Sequence, residues 1–215
     1  MKVDLHVHTC YSDDSLTPLE AIIEACHRRG IDKVAITDHN CIAGALALRE
    51  MAPDLIIVGE EIKTAAGEIM GLFLKEEIPK GLSPEETIAR IREQGGLVCV
   101  PHPLDQLRRS ALRRASLLAI LDQVDMLEVF NSRTPLPWDN RRAEELARQR
   151  GLLRTAGSDA HTAWEIGHAY VEMPPFEGEE EFLRSLAQGR IVGRLSCPLA
   201  HLASTWAKLR KHWSV

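Results

Sequence analysis

Short apolar runs alternate with longer amphipathic stretches along the whole chain. Residues 3–8, 33–37, 55–58, 69–74, 97–100, 126–130, 152–156 and 169–172 have the length and β-branched character of strands. Between them, 18–30, 43–51, 83–94, 140–150, 179–188 and 199–212 carry apolar residues at helical spacing. Thr17-Pro18 reads as an N-cap followed by a first-turn proline, and Gly30 as the matching C-terminal stop. Ser83-Pro84 opens another helix, Gly95-Gly96 closes it, and Gly67 marks a turn between two strands. This alternation predicts an α/β fold with a mostly parallel sheet. An open doubly wound sheet is the alternative, but the number of repeats and the position of the polar motifs favour a barrel.

Composition narrows the picture. At 215 residues and 45% hydrophobic content, the chain can bury a substantial core as one domain. A net charge of -5 argues against an extended nucleic-acid surface. No apolar run approaches membrane-spanning length, and Met1-Lys2-Val3-Asp4 leads directly into a strand without a signal peptide. Cysteines at 10, 26, 41, 99 and 197 form no CxxC pair, which fits reduced thiols in the cytoplasm.

The apolar runs end in metal-ligating residue types. Asp4-Leu5-His6-Val7-His8 places two imidazoles on one strand face, and Tyr11-Ser12-Asp13-Asp14 follows in the next loop. Later runs end in Asp38-His39-Asn40, Gly59-Glu60-Glu61, Pro101-His102-Pro103, Glu128-Val129-Phe130-Asn131 and Gly157-Ser158-Asp159-Ala160-His161. A single H-x-H is a weak signal. Five of nine histidines at such ends, accompanied by carboxylates, predict one clustered metal site, because barrel strands converge at their C-terminal ends. His27, His168, His201 and His212 are read as non-ligands.

In order and spacing these motifs resemble the PHP family, the domain named for polymerase and histidinol phosphatase. The resemblance runs from Met1 to about Ala169. It implies a distorted seven-stranded (β/α)7 barrel spanning residues 1–215 as a single domain. It also implies phosphoesterase activity with two or three divalent ions (manganese, zinc or iron). Carried over by position, His6, His8, Glu61 and Asp159 would hold one ion. Glu61 would bridge to a second on His102, and Asp13, His39 and His161 would hold a third.

One position departs from the family pattern. Where many members carry a second-metal histidine after the bridging glutamate, Glu68-Ile69-Met70 stands here. A thioether suits a hard N/O site poorly, so the second ion is expected to be weakly held. Glu68 is expected to project from the other face of the strand.

The resemblance further implies hydrolysis of a phosphomonoester or small phosphodiester, with a nucleotide-like substrate favoured, by a metal-bound hydroxide. Arg133 is the first candidate for a phosphate partner, with Arg108 and Arg109 behind it. Asp38 is expected to orient ligands from outside the metal shell, and Trp138 and Trp164 to pack at the rim. A metal-dependent hydrolase of another bond type and a non-catalytic regulatory module are the competing readings.

Overall fold

The structure is a computed structural model and describes residues 1–213. The first half runs β1 (Lys2–Val7), α1 (Leu19–Arg29), β2 (Lys33–Ile36), α2 (Ala43–Met51), β3 (Ile56–Thr64), β4 (Gly67–Leu72), α3 (Pro84–Glu93) and β5 (Leu97–Val100). Then follow α4 (Arg114–Ile120), β6 (Met126–Asn131), α5 (Pro137–Arg150), β7 (Leu153–Gly157), β8 (Ala169–Glu172), α6 (Gly178–Leu186), β9 (Arg190–Gly193) and α7 (Ala200–His212). The strands form one sheet in the order β7-β6-β5-β4-β3-β2-β1-β8-β9.

The first seven strands curl into a nearly closed barrel. Beyond β7, a parallel bridge joins Ala160 to Val7, so the chain after the last barrel strand returns to the end of the first. The strand count is nine rather than the expected seven, because β8 and β9 add antiparallel strands beside the start of β1. The sheet is also less parallel than expected. A tight turn, in which Thr64 Oγ1 donates to the Gly67 carbonyl at 2.6 Å, reverses the chain and makes β4 antiparallel to both β3 and β5.

Two apolar layers hold this framework. Ile36, Val58, Ile69, Val98 and Leu127 face the helices and pack with Ile22, Leu48, Ile91 and Leu117. Leu5, Ala35, Ile57, Met70, Cys99, Met126 and Ala156 fill the inside and meet Phe182 of α6. The second layer fills one end of the barrel, and polar side chains continue it at the other.

Some helix ends follow the local code. Gly30 stops α1 in the left-handed conformation (φ 63°). Ser83 and Glu86 form a reciprocal capping box at α3. Thr17 does not cap α1; Pro18 stands at that position without a side-chain bond, and Thr17 Oγ1 donates instead to the His161 carbonyl at 2.9 Å. Among the described residues, no helix is long and apolar enough to cross a membrane.

Candidate metal centre

β1 cannot place Leu5 in the apolar interior and His6 and His8 in a polar site by strict alternation. A bulge solves the conflict. Between Asp4 and Val7 the register against β2 slips by one residue, which shifts the phase of the strand. A second slip on β6 separates Glu128 from Phe130. Past the end of β2, His39 bridges Glu61 of β3, with the Asn40 amide donating to the Glu61 carbonyl at 3.0 Å. Asn40, His102 and Asp159 all take positive φ (53°, 31° and 52°), a costly conformation for side-chain-bearing residues that recurs at functional sites.

These devices gather the strand ends. His6 Nε2 and His8 Nε2 stand 3.1 Å apart. Both face Glu61 Oε2 (3.4 and 3.5 Å) and Asp159 Oδ1 (3.6 and 3.4 Å). His102 Nε2 lies 2.9 Å from Glu61 Oε1. On the other side, Asp14 reaches His161 Nε2 at 3.1 Å and His39 Nε2 at 3.3 Å, while His39 Nδ1 meets Glu61 Oε2 at 3.1 Å. Ligand atoms of His8, Asp14, His39 and His161 all lie within 4.8 Å of one another; so do those of His6, His8 and Glu61, and those of His39, Glu61 and Glu68.

The donor set fits divalent ions. Asp14 Oδ1, Glu68 Oε2 and Asp159 Oδ1 are buried without a hydrogen bond among the described residues. A buried carboxylate oxygen left in that state is costly, and a cation is what would relieve it. Imidazole nitrogen and carboxylate oxygen together suit manganese, iron or zinc.

Neighbouring groups fix which imidazole nitrogen faces inward. Glu128 Oε1 lies 3.0 Å from His6 Nδ1, and the Asp159 carbonyl lies 2.8 Å from His161 Nδ1. Ser12 Oγ donates to Asp38 Oδ1 at 3.0 Å and, at 3.0 Å from His8 Nδ1, accepts the proton there. In each case Nε2 is turned toward the centre, where it would ligate a metal. Without one, burial opposes the charge on His6, but Glu128, Asp159 and Glu61 outweigh it and hold the imidazole protonated. Asp38 also accepts from the Thr9 amide and hydroxyl at 2.6 and 2.7 Å, so it holds the 9–12 loop and acts on His8 through Ser12.

Charge follows the same logic. Burial, reinforced by His161 and His39, pushes the His8 pKa down to about 3, keeping a neutral imidazole. Burial opposes ionisation of Asp159, but Arg108 and His6 outweigh it and hold the carboxyl well below its usual range. Glu61 behaves alike, with His6 and His39 overcoming burial. Glu68 shifts the other way, raised by burial and by Glu61.

Three expectations need correction. Asp13 is exposed and takes no part in these groups; Asp14, one residue on, turns into the centre. Glu68 does not project away: it lies two residues from Met70, so strand alternation puts both on one face. Met70 is buried in the apolar interior opposite Glu61, while Glu68 reaches outward to His102 Nε2 (3.6 Å) and His39 Nδ1 (3.9 Å). Arg133 borders the cleft, but its guanidinium is turned to α7 and not to the ligands. Its guanidinium pairs with Glu165 (3.2 Å) and donates to the Ala200 carbonyl (2.6 Å) and Ser204 Oγ (3.2 Å), which anchors α7. Arg108 is the arginine at the centre, with Nη2 2.5 Å from Asp159 Oδ2.

Outside the ligand groups, Asn131 Nδ2 donates to Asp159 Oδ2 at 3.2 Å and Glu128 Oε2 at 3.0 Å, tying β6 to β7. The centre opens into a cleft of about 720 Å³ whose cationic lining includes Arg108, Lys63, Lys80, Lys208 and Lys211, with His201 among them. Lys208 Nζ stands 3.3 Å from Asp14 Oδ2. Trp138 and Trp164 are exposed and do not line this cleft; Arg109 does not line it either.

A family model described as PHP-associated matches residues 137–191, the segment that carries Asp159 and His161. An uncharacterized protein of Methanocaldococcus jannaschii is 40% identical over 196 residues, covering 86% of this chain and 79% of that protein. The phosphoribosyl 1,2-cyclic phosphate 1,2-diphosphodiesterase of Eggerthella lenta is 35% identical over 85 residues, 35% of this chain and 32% of that one. Among solved structures, a two-domain protein of Bacteroides vulgatus containing a predicted PHP-like metal-dependent phosphoesterase superposes with a TM-score of 0.69. It shares 20% identity over 90% of this chain and 65% of that chain. With the barrel, the ordered strand-end motifs and these likenesses in agreement, the chain belongs to the PHP family.

Proposed function

We propose that this chain is a cytoplasmic metal-dependent phosphoesterase that hydrolyses a phosphomonoester or a small phosphodiester, with a nucleotide-like substrate favoured. The observation that carries the proposal is the convergence of His6, His8, His39, His102 and His161 with Asp14, Glu61 and Asp159 at the base of a cleft lined by cations. When bound, divalent ions supply Lewis acidity toward phosphoryl oxygens and lower the pKa of water.

The chain's own residues do the rest. Glu61 offers Oε2 to the His6 and His8 side and Oε1 to His102, which suits a bridging carboxylate. Glu68 shares the His102 and His39 side, so two full ligand groups and a third built around Glu68 account for two or three ions. Arg108 holds Asp159 and borders the cleft, and Lys208 stands over Asp14, so both are placed to pair with a phosphate group. Asp38 and Arg133 act as positioning residues, the first through Ser12 and the second through α7. The cleft's volume fits a small molecule. The E. lenta relative is named as a diphosphodiesterase of phosphoribosyl 1,2-cyclic phosphate. The five free thiols are consistent with the cytoplasm.

The test is direct. Protein stripped of metal and reloaded with manganese, zinc or iron is assayed on p-nitrophenyl phosphate, bis-p-nitrophenyl phosphate and nucleoside monophosphates. Metal-dependent turnover is the expected result, and no turnover with any pairing of metal and ester would refute the proposal.

A further inference from the structure

Helix α7 lies on the barrel with its polar side inward. Arg133 donates to Ala200 and Ser204 near its start, and Lys208 meets Asp14. Lys211 donates to the carbonyls of Cys10 (2.6 Å) and Ser12. Only Ala200 and Ala207 are buried, so this face contributes little apolar packing. The large apolar residues point the other way. Leu199, Leu202, Trp206, Leu209 and Trp213 are between 46% and 80% exposed. They account for five of the twelve large exposed hydrophobics among the described residues, within one fifteen-residue stretch. Such a contiguous exposed patch marks an interaction surface.

Their spacing says what kind of surface it is. The intervals are three, four, three and four residues, the seam of a helix that packs against another helix. We propose that this stripe is a homodimer interface, in which α7 of one copy packs antiparallel on α7 of a second.

A two-fold axis pairs a surface with itself, so one self-complementary stripe suffices. The direction follows from charge. Besides the inward-turned Lys208 and Lys211, Arg210 and His212 stand at the C-terminal end of the helix, which holds no Asp or Glu. Parallel pairing would bring two basic ends together. Antiparallel pairing separates them and opposes the helix dipoles, with Leu199 meeting the partner's Trp213 and Trp206 near the axis. The area is adequate. Two tryptophans at roughly 150–250 Å² each when buried, with three leucines, give on the order of 600 Å² per copy, the lower end for a stable pair. A lipid surface fits less well, because Lys208 and Lys211 are turned inward to the barrel and away from the apolar face.

Sedimentation velocity and light scattering of the full chain at about 50 μM, where a pair of this area is populated, read the mass directly. Wild type is expected at twice the chain mass. Trp206→Glu and, separately, Leu202→Glu are expected at the chain mass, each with unchanged circular dichroism and metal content. Cys197→Ser/Trp206→Cys protein is expected to form an intermolecular disulfide on oxidation, because position 206 faces its own copy across the axis. Monomeric wild type would overturn the proposal, as would a dimer that survives both glutamates. Monomeric wild type that sediments with anionic phosphatidylglycerol vesicles would assign the stripe to a lipid surface instead.

Discussion

Asp14 and Asp13 are adjacent, chemically identical and structurally opposite, so they give the sharpest test of the metal centre. Asp14 Oδ1 lies 3.1 Å from His161 Nε2 and its Oδ2 lies 3.3 Å from His39 Nε2, whereas Asp13 is exposed. Burial opposes the charged form of Asp14, yet His161 and His39 outweigh it and lower its pKa. Asp14→Asn keeps the shape and removes the negative charge. Losing a group that only orients a ligand already costs roughly 10–100-fold in metal affinity, about 1.4–2.7 kcal/mol. Losing a carboxylate that faces the ion should cost at least that much at one position, leaving the His6 and His8 position filled. Asp13→Asn should change affinity by less than about twofold, as expected of an exposed charge screened by water. Competition against a chelator of known affinity, read by elemental analysis after dialysis, measures both. A variant at Asp13 that loses one equivalent, beside an Asp14 variant that keeps it, would refute the assignment.

Other consequences follow from the same geometry. Glu68→Gln should lower occupancy of the His102 position by roughly 10–100-fold while sparing the others, seen as loss of one equivalent in the same competition. Arg108→Ala should raise KM for a phosphate ester and, by leaving buried Asp159 without its cation, destabilise metal-free protein by about 3 kcal/mol in urea unfolding. Arg133→Ala should leave metal content intact and expose α7 to faster hydrogen exchange. His168 is buried beside Arg194 and Arg29, and burial first, then those cations, lower its pKa to about 4. The unfolded chain therefore binds more protons between about pH 4 and 6.5, so His168 costs stability as pH falls through that window. His168→Gln should flatten that slope by about 2–3 kcal/mol, read as unfolding free energy at pH 4.5 against pH 7.

Most of the framework was legible because its signals are periodic. Strand and helix alternation depends on side-chain spacing, and the strand ends fell where apolar runs stopped at polar residues. Strand β9 was not legible: Arg190–Gly193 is short and has no buried residue, so no apolar run marks it. Helix α4 spans only Arg114–Ile120 and buries just Leu117 and Ile120, too little for a helical period to emerge. The antiparallel setting of β4 depends on a two-residue turn at 65–66, where strand direction is decided by the turn and not by the strand's own pattern.

The centre divides along the same line. His6, His8, His39, Glu61, His102, Asp159 and His161 stand at strand ends, where a regular scaffold fixes the direction of the chain, and spacing alone could bring them together. Asp14 sits in a loop, and loop residues have no period; nothing in Ser12-Asp13-Asp14-Ser15 says which aspartate turns inward. That choice is made by tertiary bonds: Ser15 Oγ donates to the His161 carbonyl at 3.0 Å and Thr17 Oγ1 joins it, which turns the 13–15 segment onto the β7 loop. Arg108 against Arg133 is a question of reach, since both follow strand ends and only the fold shows that Glu165 and α7 take up one of them. Glu68 is different. Its two-residue separation from Met70 was sufficient to place both on one face. The thioether then belongs to the barrel's apolar interior, and the carboxylate one step toward the mouth stands where the absent histidine would leave a gap. Replacing Met70 with histidine should therefore put an imidazole among apolar neighbours opposite Glu61. The expected outcome for Met70→His is lower stability with no gain in metal affinity, and a gained equivalent of metal would show that the site tolerates the family's usual ligand.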